Sequence, residues 1–178
     1  TTNFGPDESS LLHLVTRVLP AIPVIWCDSG YNTQATYRHA ESLRRDLDLN
    51  LFTYLPRQSA AHWEAVEGGV PSVDDDAHPR FTELVKLEPF RRALEAHRPD
   101  VWFTNIRRGQ TAFRDTLDIV TDGGGGLLRV SPLFNHTDAD LDTYLDKVSL
   151  TTEHDYTDPT KALAHRECGL HLRGAPQE

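Results

Sequence analysis

The chain has 178 residues, of which 38% are hydrophobic and 25% charged, and its formal net charge is −9. These values suit one soluble globular domain, and the acidic balance argues against a large non-specific nucleic-acid surface while leaving room for a local basic pocket. The sequence contains no apolar run of membrane-span length and no signal-peptide pattern.

Cysteine usage indicates the compartment. The two cysteines, Cys27 and Cys168, cannot form a disulfide framework, so we expect a reducing cytoplasm. The chain starts at Thr1 and contains no methionine, from which we expect a trimmed chain that lacks an upstream segment.

The first third of the chain alternates between helix and strand patterns. Apolar spacing predicts a helix over residues 11–18, a buried strand over 22–26, a helix over 33–48 and a strand over 49–55. This order predicts right-handed crossovers and a parallel sheet. The small and polar residues 1–10 could present backbone N–H groups to an anion. They could equally be an ordinary helix start capped by Ser9 or Ser10.

Polar residues follow the first buried strand. Cys27, Asp28, Ser29 and Gly30 stand at the carboxyl end of that strand, where open α/β sheets bind ligands. We interpret Cys27 as a packed small apolar residue rather than as a reactive thiol.

The middle of the chain is less regular. We predict a short helix over residues 60–66, a loop, a helix over 81–97 that Pro89 must break or kink, and a buried strand over 101–104. The acidic triplet at 74–76 could suggest a metal site, but a solvated loop is much more common for such a run, and we predict no metal.

An arginine-rich stretch follows the strand at 101–104. It contains Arg107, Arg108, Gln110, Thr111 and Arg114. Guanidinium groups bind phosphate and sulfate oxygens in a two-pronged geometry, although surface arginines also pair with carboxylates. We favour an oxyanion pocket, because the position at a strand end and the local reversal of charge agree.

The last third holds a turn, a strand and a helix. We predict a hairpin-like turn over residues 122–126, a strand over 127–130, and a helix that Thr137 or Asp138 caps. The apolar face of this helix consists of Leu141, Tyr144, Leu145 and Val148.

The tail holds the second cysteine. Cys168 is flanked by His165, Arg166 and His171, and nearby cations stabilise the nucleophilic thiolate. The alternative is a stray thiol in a frayed terminus.

These motifs, in this order, resemble the phosphoadenylyl-sulfate (PAPS) reductases, the sulfonucleotide reductases of the adenine-nucleotide alpha-hydrolase-like, PP-loop fold. Four blocks carry the resemblance: residues 2–5 running into 12–15, residues 22–31 continuing to 36–38, residues 107–114, and the Glu-Cys-Gly-Leu-His block at 167–171. The resemblance implies a three-layer α/β/α fold with a mostly parallel twisted sheet. It also implies a nucleotide-binding domain over 1–161 and a mobile catalytic tail over 162–178 of the same domain.

The resemblance also implies an activity. The Cys168 thiolate would attack the sulfur of PAPS, adenosine 3′,5′-bisphosphate would leave, and thioredoxin or glutaredoxin would release sulfite from the S-sulfonate. Catalysis would involve Cys168, His171 and Glu167. The substrate would be bound by Asn3, Gly5, Asp28, Gly30, Arg107, Arg108, Gln110 and Arg114.

Three further expectations follow from the resemblance and from the composition. A homodimer is expected, and partners do not include nucleic acid or a membrane. No iron–sulfur cluster is expected, since a 4Fe–4S cluster needs four thiolates and the chain has two cysteines. Two alternatives remain open: a PP-loop adenylating enzyme that splits ATP, and a nucleotide-binding homologue without turnover.

Overall fold

The computed structural model describes residues 1–161. The expectations for Glu167, Cys168 and His171, and for a mobile tail, concern residues outside this range.

The chain folds into alternating helices and short strands. In chain order they are α1 Glu8–Val18, β1 Val24–Cys27, α2 Gln34–Asp46, β2 Leu51–Tyr54, α3 Ala60–Glu67, α4 His78–Thr82, a π-helical turn Glu83–Leu87, α5 Glu88–His97, β3 Val101–Phe103, α6 Ala112–Asp115, β4 Val120–Asp122, β5 Leu128–Val130 and α7 Asp138–Val148. Among these helices, none combines the length and apolarity that crossing a bilayer requires.

The strands form two sheet pieces that are mostly parallel. β1 pairs with β2 in parallel, and β5 lies between β3, its parallel neighbour, and β4, its antiparallel neighbour. Thr1 and Thr2 lie between the two pieces. The backbone N–H of Thr2 donates to Ile25 O at 2.9 Å, and the nitrogen of Thr1 donates to Phe103 O at 3.4 Å.

Helices cover both faces of β1. Side chains alternate across a strand, and Val24 and Trp26 pack with Phe4, Leu12 and Leu43 under α1 and α2. Cys27 points to the opposite face, toward Lys86, Glu88 and Arg92 of the π-helical turn and α5. The predicted three-layer α/β/α arrangement is therefore present.

The start of α1 differs from the prediction. The helix begins at Glu8, and Ser9 and Ser10 are fully buried within it, so neither is the cap. The capping position belongs to Asp7, which has a left-handed backbone (φ 66°) and makes no side-chain cap. The sequence suggested a serine cap because serine is common there, whereas tertiary contacts decide the start.

The helix that contains Pro89 widens into a π-helical turn just before the proline and does not break. A proline inside a helix loses its N–H bond and its ring collides with the carbonyl four residues earlier. Here the π-helical turn Glu83–Leu87 precedes it, and Pro89 sits in the first turn of α5. The helical path therefore continues from α4 to α5.

The hairpin at residues 122–126 is confirmed, but β4 was not predicted. β4 is only three residues long, and Val120 and Asp122 are exposed, so its sequence lacks the apolar pattern of a buried strand.

Candidate functional site

A cavity of about 220 Å³ opens at the carboxyl ends of β1 and β3. Its walls come from the N-terminal loop (residues 2–7), the loop after β1, the π-helical turn, the loop after β3 (residues 104–111), Arg114 at α6, and residues 156–161. This is the edge of the sheet where the sequence predicted a ligand site.

The N-terminal loop is held in an uncommon conformation. Phe4 is fully buried with φ 55°, and Asp7 has φ 66°, a left-handed region that non-glycine residues rarely occupy. Hydrogen bonds within the loop and to Thr152 occupy the backbone amides of residues 4, 5, 7 and 8. The N–H of Phe4 donates to Thr2 Oγ1 (3.0 Å), that of Gly5 to Asn3 Oδ1 (2.8 Å), that of Asp7 to Thr152 Oγ1 (3.0 Å) and that of Glu8 to Gly5 O (3.3 Å).

Asn3 and Gly5, both predicted substrate-binding residues, meet Tyr156 here. Asn3 lines the cavity, and its amide Nδ2 donates to Tyr156 Oη at 3.0 Å. A Cβ atom at Gly5 would lie 2.9 Å from the Tyr156 ring. Only glycine therefore lets the ring pack on the loop.

Asp28 organises the loop after β1 through hydrogen bonds to its carboxylate. Its Oδ1 accepts bonds from the N–H of Gly30 (2.9 Å), from Asn32 Nδ2 (2.8 Å) and from Tyr37 Oη (2.9 Å). The lining side chains of this loop are those of Ser29 and Asn32. Asp28 and Gly30, both predicted substrate-binding residues, are not among the residues that line the cavity: the buried carboxylate shapes the turn, and Gly30 supplies its positive φ of 81°.

Two predicted residues of the arginine stretch face the cavity. Gln110 and Arg114 line it, and Gln110 Oε1 accepts bonds from the N–H of Arg107 at 2.9 Å and from the Arg114 guanidinium. A side-chain amide and a cation at one wall can hold an oxyanion.

Arg107 lies outside the cavity lining. Its guanidinium is 4% exposed and pairs with Asp7 Oδ2 at 2.5 Å and with Asp138 Oδ1 at 2.6 Å. Burial raises the pKa of Asp7, and the charge of Arg107 opposes this. In this structure the guanidinium of Arg107, a predicted substrate-binding group, forms ion pairs that tie α1 to α7.

Arg108 also does not line the cavity. It is exposed, and its guanidinium lies over the Phe134 ring, 5.2 Å from the centroid. A cation over an aromatic face is a common surface contact. The structure thus separates the three arginines that the sequence grouped together, and only Arg114 lines the cavity.

Lys86 is a cavity cation that the sequence reasoning missed as a site residue. Its ammonium group donates to Asp158 Oδ2 and, at 3.2 Å, to Thr160 Oγ1. The Asp158 side chain is 8% exposed. Burial works against its ionisation, but the charge and hydrogen bonds of Lys86 hold the pKa of Asp158 below its ordinary value.

Residues 151–161 form a strap across the N-terminal loop. Thr151 O accepts from Ser9 Oγ (2.7 Å), and Thr152 Oγ1 and Tyr156 Oη accept the bonds already described. The strap is polar and irregular in sequence, and none of its residues was predicted as a site residue. Its described part ends at Lys161 in the cavity wall, seven residues before Cys168.

Two ionisable groups in the cavity are shifted by burial. Burial raises the pKa of Glu8 to about 7, and its Oε2 has no hydrogen-bond partner among the described residues. Burial also raises the pKa of Cys27 to about 12, which agrees with the interpretation of this thiol as a packed, unreactive group.

The sequence and the fold are similar to those of known proteins. The family profile described as "Phosphoadenosine phosphosulfate reductase domain" matches residues 1–154. A phosphoadenosine 5′-phosphosulfate reductase of Xylella fastidiosa is 39% identical over 145 residues, which cover 82% of this chain and 61% of the relative. One of Synechocystis is 32% identical, and the alignment covers 99% of this chain and 80% of the relative.

A solved structure supports the fold. The phosphate complex of a PAPS reductase from Candida auris superposes with a TM-score of 0.72 at 20% identity, covering 85% of this chain and 72% of that one. The predicted α/β fold with a mostly parallel sheet is thereby confirmed. The chain spans about three fifths of the length of the Xylella relative. From the match over residues 1–154 and the relatives at 32–39% identity, this chain belongs to the phosphoadenosine phosphosulfate reductase domain family.

Proposed function

We propose that the protein reduces PAPS to sulfite and adenosine 3′,5′-bisphosphate through an S-sulfonate on Cys168. The observation that carries the proposal is the cavity at the carboxyl ends of β1 and β3, where Lys86, Arg114 and Gln110 line walls that Lys161 also reaches. Cys168 follows Lys161 by seven residues, a span of up to roughly 25 Å in extended chain. A segment of this length is long enough for the proposal that Cys168 acts in the cavity.

The first chemical step is a sulfonyl transfer. The Cys168 thiolate attacks the sulfur of PAPS, an S–S bond forms, and the S–O bond to the phosphate breaks. The electron pair of that bond leaves on the phosphate oxygen of adenosine 3′,5′-bisphosphate. Arg114 and Lys86 supply positive charge for the sulfate and phosphate oxygens, and Asn3 and Gln110 supply neutral polar groups.

The second step returns the thiol to its starting state. A thiolate of reduced thioredoxin or glutaredoxin attacks the Cys168 sulfur, and sulfite leaves with the electron pair of the S–S bond. The second thiol of the donor then attacks the mixed disulfide and frees Cys168. Glu167 and His171 flank the nucleophile and belong to the same catalytic block.

The setting of the reaction is proposed with it. We place the enzyme in the cytoplasm as a homodimer without an iron–sulfur cluster. Two cysteines in all cannot supply four thiolates, and the burial of Cys27 disfavours that thiol as the nucleophile.

Mass spectrometry of the intact protein after mixing with PAPS or adenylyl sulfate tests the proposal. We expect the mass of an added SO3 group with PAPS, mapped by fragmentation to Cys168. Reduced thioredoxin should remove the group and release sulfite. Peptides that contain Cys27 should stay unmodified.

The matched variants are Cys168→Ser and Cys27→Ser. The first should abolish both the adduct and sulfite release, and the second should keep them. Unchanged sulfite release by Cys168→Ser would overturn the mechanism. Release of pyrophosphate from ATP would favour an adenylating enzyme instead, and tight nucleotide binding without either product would favour a non-catalytic homologue.

A further inference from the structure

The cavity is small for the ligand that the proposed function requires. Its volume is about 220 Å³, whereas cavities that bind small molecules and cofactors commonly measure roughly 300–1,000 Å³. Six consecutive residues of the strap, 156–161, contribute to its lining. The strap therefore occupies space at the site.

The strap also accepts hydrogen bonds from donors around the cavity. Tyr156 Oη accepts from Asn3 Nδ2 at 3.0 Å, and both residues line the cavity. Lys86 donates to Asp158 and to Thr160 Oγ1. Amide and ammonium groups at a strand-end loop are the donors that phosphate and sulfate oxygens use. One segment of the chain thus holds donors that an anionic ligand would use.

Asp158 provides the negative charge of the strap that pairs with Lys86. Its carboxylate is buried, faces Lys86, and is held by the N–H of Thr160 (3.0 Å) and Thr160 Oγ1 (2.7 Å). A carboxylate and a sulfate or phosphate oxygen compete for the same ammonium group, since both are anionic acceptors of similar geometry.

We propose that the strap is an intramolecular occupant of the cavity, in which Asp158 holds Lys86 in place of an anionic ligand and is displaced when that ligand binds. The proposal rests on the proposed function only in taking an adenine nucleotide with phosphate or sulfate groups as the ligand. A purely structural latch would behave differently, because loosening it would weaken binding rather than strengthen it.

Calorimetry on Asp158→Asn tests the competition. The variant removes the charge of the occupant, so adenosine 3′,5′-bisphosphate should bind roughly fivefold or more tightly than to the wild type, because no carboxylate competes with its phosphate oxygens for the Lys86 ammonium group. Uncharged adenosine should bind with the same affinity to both. The control Asp155→Asn changes an exposed carboxylate of the same strap and should alter neither affinity.

Unchanged or weaker binding of the bisphosphate by Asp158→Asn would overturn the proposal. An equal gain for adenosine would also overturn it, because that result indicates general opening of the cavity and not competition between charges.

Hydrogen exchange of the wild-type protein tests the displacement and needs no variant. The N–H of Thr160 is bonded to Asp158 Oδ1, so exchange in peptides over residues 156–161 should become faster when adenosine 3′,5′-bisphosphate is bound. Slower or unchanged exchange there would contradict displacement. Both measurements read binding alone, so they can succeed even if no SO3 group is transferred to Cys168.

Discussion

The buried carboxyl group of Glu8 in the cavity wall makes the stability of the protein depend on pH. Burial raises its pKa from 4.5 to about 7. The folded protein therefore binds this proton more tightly than the unfolded chain does. As pH rises from about 4.5 to about 7, the free energy of unfolding falls, and above that range the loss is complete.

We predict that Glu8→Gln stabilises the protein above pH 7, because glutamine fills the same space without a charge. The gain in the free energy of unfolding at pH 8 should approach about 3 kcal/mol and should shrink at pH 5. Urea denaturation at the two pH values measures it. Glu95→Gln, at an exposed position of α5, is the control and should show no such dependence. An equal effect of Glu8→Gln at both pH values would contradict the prediction.

For single residues, the sequence predicted which side chains belong to the region of the site, but not which atoms those side chains contact. Asn3, Gln110 and Arg114, which were predicted to bind substrate, line the cavity, and their binding of substrate stays a prediction. Arg107 and Arg108 stand in the same stretch, yet one is paired with two carboxylates and the other lies over Phe134. The carboxylates come from residues 100 positions before and 31 positions after Arg107, so no local pattern reveals the pairing.

At the scale of elements, Arg107 joins three of them. Its guanidinium contacts Asp7 before α1 and Asp138 at the start of α7, while its own backbone belongs to the loop after β3. Removing one partner of a buried ion pair leaves the other desolvated without compensation.

We predict that Arg107→Gln lowers the free energy of unfolding by about 3 kcal/mol, because Asp7 loses its buried counter-charge. Arg108→Gln, at the adjacent exposed position, should cost about 0.5 kcal/mol or less. Chemical denaturation of the two variants measures the difference. Equal stability of the two variants would show that the ion pair does not hold these elements together.

Element boundaries were predictable where their cause is local. The capping box of α7 joins Thr137 and Asp140, three residues apart, and its start was predicted. The start of α1 was not, because Asp7 is fixed by bonds to Thr152 and Arg107 from distant parts of the chain. The π-helical turn before Pro89 was predicted only as a break, since sequence does not tell how a helix accommodates a proline.

At the scale of the whole molecule, the reactivity of the Cys27 thiol reports on global unfolding. Its thiol has a pKa of about 12 in the folded state, and roughly one thiol in 10⁴ would be ionised at pH 8. Unfolding returns the pKa to its ordinary value and exposes the sulfur.

We predict that Cys27 in the Cys168→Ser variant reacts with a thiol reagent only after denaturation. Titration with a disulfide reagent at pH 8 should count no fast-reacting thiol in the native protein and one in denaturant. A native rate equal to the denatured rate would contradict the burial of this thiol.

The order of strands and helices, and the ligand edge of the sheet, followed from periodicity and from the position of polar residues after strands. The strap did not, because its decisive contacts join residues 72 and 153 positions apart. Tyr156 and Asp158 stand in a polar, irregular stretch of the sequence, and only folding brings them to the cavity.

The N-terminal loop also continues from the junction of the two sheet pieces, through Thr1 and Thr2. Trp102 Nε1 donates to Thr1 Oγ1 at 2.9 Å, on the side of β3. On the side of β1, the Trp26 ring lies edge-on to Phe4 with centroids 5.0 Å apart. The loop therefore has an indole on each side, and a shift of the loop would change the surroundings of both. Trp26 and Trp102 are therefore intrinsic fluorescent reporters at the junction of the two sheet pieces.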